Sequence, residues 1–166
     1  MGVVVAAISK ARRARKHKRG GDWCFEHHTP VFNWALPVLL DGRPEGCYCS
    51  KEGDLDCFDF DAGSYGGYNE FRDELSRLAI GIPANELWTN PEPHLESPFV
   101  ELLLLRPEGN AIGPVTSAKL YRDFTRYAAA ARKQWRRKSE RWLLENYMDF
   151  RTAFRIAKNR GFVLLR

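Results

Sequence analysis

No apolar run in this 166-residue chain is long enough to span a membrane. The order of a signal peptide is missing too, because the apolar residues 1–9 precede the basic run instead of following it. Both absences point to a protein that stays in the cytoplasm. Cysteine is scarce, with four residues in all, so the fold does not demand disulfides and the thiols are expected to be reduced. No Gly-Lys-Ser/Thr follows the glycines at 63–67, which excludes a Walker loop, and the dinucleotide fingerprint is absent as well. No spacing matches a known catalytic triad or metal pair.

Charge is also missing in a patterned way. Residues 1–21 hold seven Lys/Arg and no acid. Residues 22–118 hold only five Lys/Arg against seventeen acids, and residues 119–166 hold fourteen against four. The chain is therefore basic, acidic, basic. A basic C-terminal half packing near an acidic middle accounts for much of this, so the net charge of +5 does not by itself imply nucleic-acid binding.

What is present reads as one globular domain. Hydrophobic residues make up 44% of the chain and aromatics 13%, enough for a core and against disorder. Residues 2–8 (Val, Ala, Ile) read as a buried strand. Lys10, Arg12, Arg13, Arg15, Lys16, Lys18 and Arg19 then form a basic arm, ended by Gly20-Gly21. As a helix this arm would carry charge on every face, so it reads as a solvated or anion-ordered segment. Residues 1–21 are set apart as strand plus arm, and residues 22–166 as a single domain.

Pro30 and Pro37 make 22–40 extended rather than helical, and Asp41-Gly42 marks a turn. Leu55, Cys57, Phe58 and Phe60 suggest a short strand, followed by a helix with Tyr68, Phe71, Leu75 and Leu78 on one face. Proline makes 82–98 a linker, pinned by Trp88. Residues 99–105, Phe-Val-Glu-Leu-Leu-Leu-Leu, read as a central strand buried on both faces. A helix starts near Pro114, and another runs from about Ser139, its plausible cap, until Gly161 stops it. Residues 162–165 read as a closing strand. The expected fold is α+β, a small mixed sheet with about three helices packed mainly on one face.

Two glycine-rich junctions carry the candidate site. Gly63-Ser64-Tyr65-Gly66-Gly67-Tyr68-Asn69 leads into the first helix, with Ser64 or Asn69 as cap. Glu108-Gly109-Asn110-Ala111-Ile112-Gly113-Pro114 leads into the second. Helix N-termini reached by glycine turns present N–H groups to anions. Tyr65 and Tyr68 would stack on a base, Arg72 and Lys119 would meet phosphate or ribose, and Asn69 and Ser117 would add hydrogen bonds. Glu108 and Asp123 complete the candidate set, although Lys119 and Asp123 also make an ordinary i,i+4 ion pair. Cys24, His27, His28, Cys47, Cys49 and Cys57 offer ligands for tetrahedral zinc but no pair of Cys-x-x-Cys knuckles, so no cofactor is expected.

Three stretches carry a resemblance. They are Ser64-Tyr65-x-Gly67-Tyr68-Asn69-x-Phe71-Arg72, then Glu108-Gly109-x-x-Ile112-Gly113-Pro114-x-x-Ser117-Ala118-Lys119-Leu120-x-x-Asp123-Phe124, and, more weakly, Asn159-x-Gly161-Phe162-Val163. Over roughly residues 60–165 the chain resembles an uncharacterised family of small proteins encoded by bacteriophages and prophages. That pattern usually has Ser-Asp-Cys before its Glu-Gly, where this chain has Leu105-Arg106-Pro107. The resemblance implies an accessory protein of the bacterial host cytoplasm with a ligand site shared by the two junctions. The leading functional reading is capture of a small anion, most plausibly a nucleotide, with sequestration of a host defence signal as its use. A second is nucleic-acid binding by the basic arm with Arg136, Arg137, Lys138 and Trp135. A third is a hydrolase or nuclease with Glu108 or Asp123 as base and Lys119 as stabiliser. Oligomeric state is not legible.

Overall fold

The computed structural model describes residues 2–13, 29–31, 33, 36–49, 57–107 and 109–166. The fold is α+β. A four-stranded antiparallel sheet has the order β5-β1-β7-β6, from β1 (Gly2–Ile8), β5 (Cys57–Ser64), β6 (Asn110–Ile112) and β7 (Phe162–Leu165). A second antiparallel sheet, β2-β4-β3, is built from β2 (Arg12–Arg13), β3 (Thr29–Val31) and β4 (Gly46–Cys49). Both sheets are antiparallel, so the single mixed sheet expected from sequence becomes two. The first strand, set apart with the arm by sequence, is an inner strand of the larger sheet.

Helices cover one face of that sheet. They are α1 (Tyr65–Ala79), α2 (Ala84–Thr89), α3 (Val100–Leu104), α4 (Pro114–Arg126), α5 (Ala128–Gln134) and α6 (Arg141–Ala157). Alternation explains the layering. Val3, Val5, Ala7, Ile112, Val163 and Leu165 face the helical core, where Phe71, Phe124, Phe150 and Phe154 stack at centroid separations of 5.3–6.2 Å. Phe162, Leu164 and Ala111 face the other way and pack with Val31 and Tyr48 of the smaller sheet and with Leu40. Hence β7 is buried at every position, as a strand covered on both faces must be.

Residues 99–105 are not that strand. Phe99 takes a left-handed conformation at φ 63°, and Val100–Leu104 coil into a five-residue helix. A short continuous apolar run fits a strand or a buried helix equally well by periodicity. Here the run contacts helices α2 and α4, burying Val100, Leu102 and Leu103, while Glu101 pairs with Lys119. The proline-rich stretch before it holds α2 and a short 3-10 turn over Glu92–His94. Of 22–40, expected to be extended, residues 22–28 lie outside the described residues, 29–31 are strand, and Pro37–Leu40 form a 3-10 turn. Asp41 and Gly42, both at positive φ, end that turn rather than joining two strands. Ser139 lies in a 3-10 turn and does not cap α6, whose N-cap position is Glu140 without a side-chain hydrogen bond.

Gly161 follows α6 for reasons of space. A Cβ there would sit 1.7 Å from the Ile8 carbonyl oxygen, so only glycine lets β1 pass this close. The left-handed residue at that helix end is Arg160, at φ 57°. Among the described residues no helix is long and apolar enough to cross a membrane.

Candidate functional site

The two junctions do cap helices, but each is closed by the chain itself. At α1 the Gly67 N–H donates to Ser64 Oγ at 3.1 Å, as the motif suggests. At α4 the N-terminal N–H groups of Val115 and Thr116 donate to Asp41 Oδ2 at 2.7 and 3.0 Å, and Thr116 Oγ1 donates to Asp41 Oδ1. A carboxylate at a helix N-terminus is the arrangement the helix dipole favours. Asp41 thus occupies the anion position that the sequence reading left for a ligand.

The candidate side chains divide in the same way. Tyr68 and Ser117 are fully buried, and neither hydroxyl has a hydrogen-bond partner among the described residues. Burial pushes the Tyr68 phenol well above its ordinary range, against the opposing pull of Arg72. Tyr65 is half-buried against the core. These tyrosines are packing residues, and Tyr68 offers no face to a base. Lys119 Nζ donates to the Ser97 carbonyl at 3.1 Å and pairs with Glu101 at 2.7 Å and Asp123 at 2.9 Å. Asp123 Oδ2 also accepts the Phe99 N–H at 3.1 Å, so it is not a free base. Glu108 lies outside the described residues.

Arg72 works at the other end of the same segment. Its Nη1 donates to the carbonyls of Leu103 and Leu105 at 3.2 and 2.8 Å, and its Nη2 to Asn69 Oδ1 at 2.7 Å. Trp88 Nε1 also donates to the Leu103 carbonyl, at 2.9 Å. A five-residue helix leaves most of its end groups unpaired. The two motifs supply those partners: Lys119 and Asp123 at the entry to α3, Arg72 at its exit. Arg72, Lys119 and Asp123, placed around a ligand by sequence, are thus brought together around a segment of the chain.

Arg72 nonetheless opens on solvent-accessible space. A cleft of about 350 Å³ is lined by Arg72, Trp88, Leu104 and Arg106. Arg72 is 6% exposed, its Nε has no hydrogen-bond partner, and no carboxylate among the described residues pairs with it. Its guanidinium lies 4.6 Å from the Trp88 ring centre and 5.1 Å from that of Tyr68. Burial draws the Arg72 pKa down, Tyr68 opposes this, and the nearby Arg106 adds to the fall. Two cations and a partly exposed indole therefore share one cleft. Sequence reading passed over Trp88 as a pin for the linker and Arg106 as a departure from a motif. That departure, arginine where the resembled pattern has aspartate, was the available signal.

A second basic pocket, of about 390 Å³, is lined by Lys10, Ala11, Arg12, Arg13, Arg43 and Arg160. It gathers the described start of the basic arm, which pairs in the smaller sheet through Arg12–Cys49 and Arg13–Tyr48. Arg15, Lys16, Lys18 and Arg19 lie outside the described residues. Arg136, Arg137 and Lys138 are exposed, but Trp135 beside them is buried and presents no stacking surface.

For metal, Cys47 is half-buried and Cys57 exposed, both as free thiols. Cys24, His27, His28 and the Cys49 side chain lie outside the described residues. No group of three or more His, Cys, Asp or Glu is placed to hold a metal among the described residues. No family model, curated protein or solved structure matches the chain.

Proposed function

We propose that the protein is a binding module for a small anionic ligand with a planar ring, a nucleotide in the first instance, held in the cleft at Arg72. The observation that carries this is a buried guanidinium with no carboxylate partner among the described residues, facing a second cation and an exposed indole. Carbonyls satisfy Arg72's hydrogens without cancelling its charge. An anion placed between Arg72 and Arg106 would supply that compensation. The Trp88 ring, 42% exposed, offers the stacking face that Tyr68 cannot. The volume suits a mononucleotide, at the small end of ligand pockets.

The binding reading needs no general base, consistent with Asp123 being engaged by Lys119 and the Phe99 N–H. The use that fits a phage accessory protein is sequestration of a host nucleotide signal, which requires affinity and no turnover. The test is thermal unfolding with nucleoside monophosphates at millimolar concentration. A ligand present at 100 times its Kd adds about 2.7 kcal/mol of stability, a shift of several degrees. Arg106→Gln, at an exposed position with no ion-pair partner among the described residues, is expected to keep the unliganded Tm and lose most of that shift. No stabilisation of the wild type by any nucleotide would overturn the reading.

A further inference from the structure

We propose that the pocket formed by Lys10, Arg12, Arg13, Arg43 and Arg160 is a separate site for consecutive phosphates, as in an oligophosphate or a nucleic-acid backbone. It is independent of the cleft at Arg72 and uses two residues, Arg43 and Arg160, that lie far from the basic arm in sequence.

The first support is charge density. Among the described residues, five cationic residues and one alanine line about 390 Å³, with no acid among them. Two acids of the described residues that flank Arg43 in sequence are engaged elsewhere. Glu45 Oε1 accepts the Asn33 N–H at 3.1 Å, and both Asp41 oxygens cap α4. Arg12, Arg13, Arg43 and Arg160 have no carboxylate partner among the described residues. The four arginines gathered here repel one another, and an anion between them would offset that repulsion. Residues 22–118 hold only five Lys/Arg, yet Arg43 from that acidic stretch sits in this pocket.

The second support is rigidity. Lys10 and Arg160 both adopt left-handed backbone, at φ 49° and 57°. Their two turns are laced together by Lys10 N–H to the Asn159 carbonyl at 2.7 Å and Ala11 N–H to the Arg160 carbonyl at 3.0 Å. Arg43 closes the floor. Its Nη1 donates to the Arg160 carbonyl at 2.8 Å and its Nη2 to the Ala11 carbonyl at 2.7 Å. Its guanidinium lies 5.0 and 4.8 Å from the ring centres of Tyr48 and Phe162. The Arg43 charge and the two backbone turns are thus fixed before a ligand arrives, which reduces part of the ordering cost of binding.

Phosphate is the chemistry this favours. Guanidinium forks match phosphate oxygens bidentately, and Arg12, Arg13 and Arg160 offer three such forks beside the charge of Arg43, whose Nη groups hold carbonyls. A polypeptide carboxylate carries a single charge per residue on a bulkier chain, so acidic peptide is the poorer match. Among the described residues the lining offers no aromatic wall for a base, so the phosphates are the part of a ligand that these side chains suit.

The test is titration of the full chain with sodium tripolyphosphate, inorganic phosphate, an oligothymidylate and polyglutamate. Variants are Arg12→Gln with Arg13→Gln, at exposed positions, and Arg160→Gly, which puts glycine at a left-handed position. Tripolyphosphate is expected to bind at least tenfold tighter than inorganic phosphate, and each variant to weaken it at least tenfold. Arg160→Gly should do so while raising the Tm, a combination that damage to the fold cannot produce. Binding of the oligonucleotide alone, with the double variant lowering the salt slope by about two, would support the same site with a nucleic-acid source. Failure of both phosphate probes, preference for polyglutamate, equal affinity for inorganic phosphate, or indifference to both variants would overturn the proposal.

Discussion

Arg72 and Arg43 are built alike and surrounded differently. Each guanidinium donates to two backbone carbonyls, those of Leu103 and Leu105 in one case and of Ala11 and Arg160 in the other. Each lies near two rings, Tyr68 and Trp88 or Tyr48 and Phe162. Carbonyls and ring faces satisfy a guanidinium's hydrogens but leave its net charge in place. The charge is then available to a ligand, and the neighbours decide which one. Around Arg72 they are one cation and an indole, suited to a ring with a phosphate. Around Arg43 they are four cations with no ring in the lining among the described residues, suited to phosphates.

The two arginines also differ in depth, and the largest expected effect separates them. Arg72→Met leaves the Leu105 carbonyl without its guanidinium donor in the core and loosens α3 from α1. A loss of roughly 3 kcal/mol is expected, read as a fall in the urea midpoint at constant m. A loss below about 1 kcal/mol would mean that Arg72 is held for its ligand alone. Asp41→Ala should come next. It uncaps α4 and frees the turn that carries Arg43, with an expected loss of about 1–2 kcal/mol. Nucleotide binding at Arg72 should survive this change while tripolyphosphate binding weakens, and the opposite order would break the comparison.

The smallest effect lies away from both pockets and serves as the reference for them. Partial burial, reinforced by Glu145, raises the pKa of Asp149 above its ordinary 3.8. The folded state therefore binds more protons than the unfolded one just above that value. The stability contribution is full below it and is lost as pH rises through the folded pKa. Asp149→Asn should raise the Tm slightly at pH 7, with the difference closing near pH 3. Neither ligand's affinity should change.

The periodicity of α1, the strand character of residues 2–8 and 162–165, and the Ser64 cap were legible because local pattern decides them. Residues 99–105 were not, because a short, mostly apolar run fits a strand or a buried helix equally well by period. The motif residues were recognised as a polar cluster but assigned to a ligand. Their true partners, the end groups of α3, are backbone atoms that sequence does not display. Asp41, acting on a helix 74 residues away, and Arg160, folded back onto Ala11, depend wholly on topology. Trp88 and Arg106 become one cleft only once α2 and α3 pack together.

The most direct measurement is competition between the two ligand classes on the wild-type chain. A nucleoside monophosphate that stabilises the protein would be titrated calorimetrically with and without saturating tripolyphosphate. Two separate sites require the nucleotide affinity to stay within about twofold and the two thermal shifts to add, as expected for distant, independent sites. Displacement of the nucleotide in proportion to tripolyphosphate occupancy would contradict the account, since both ligands would then share a single cationic site.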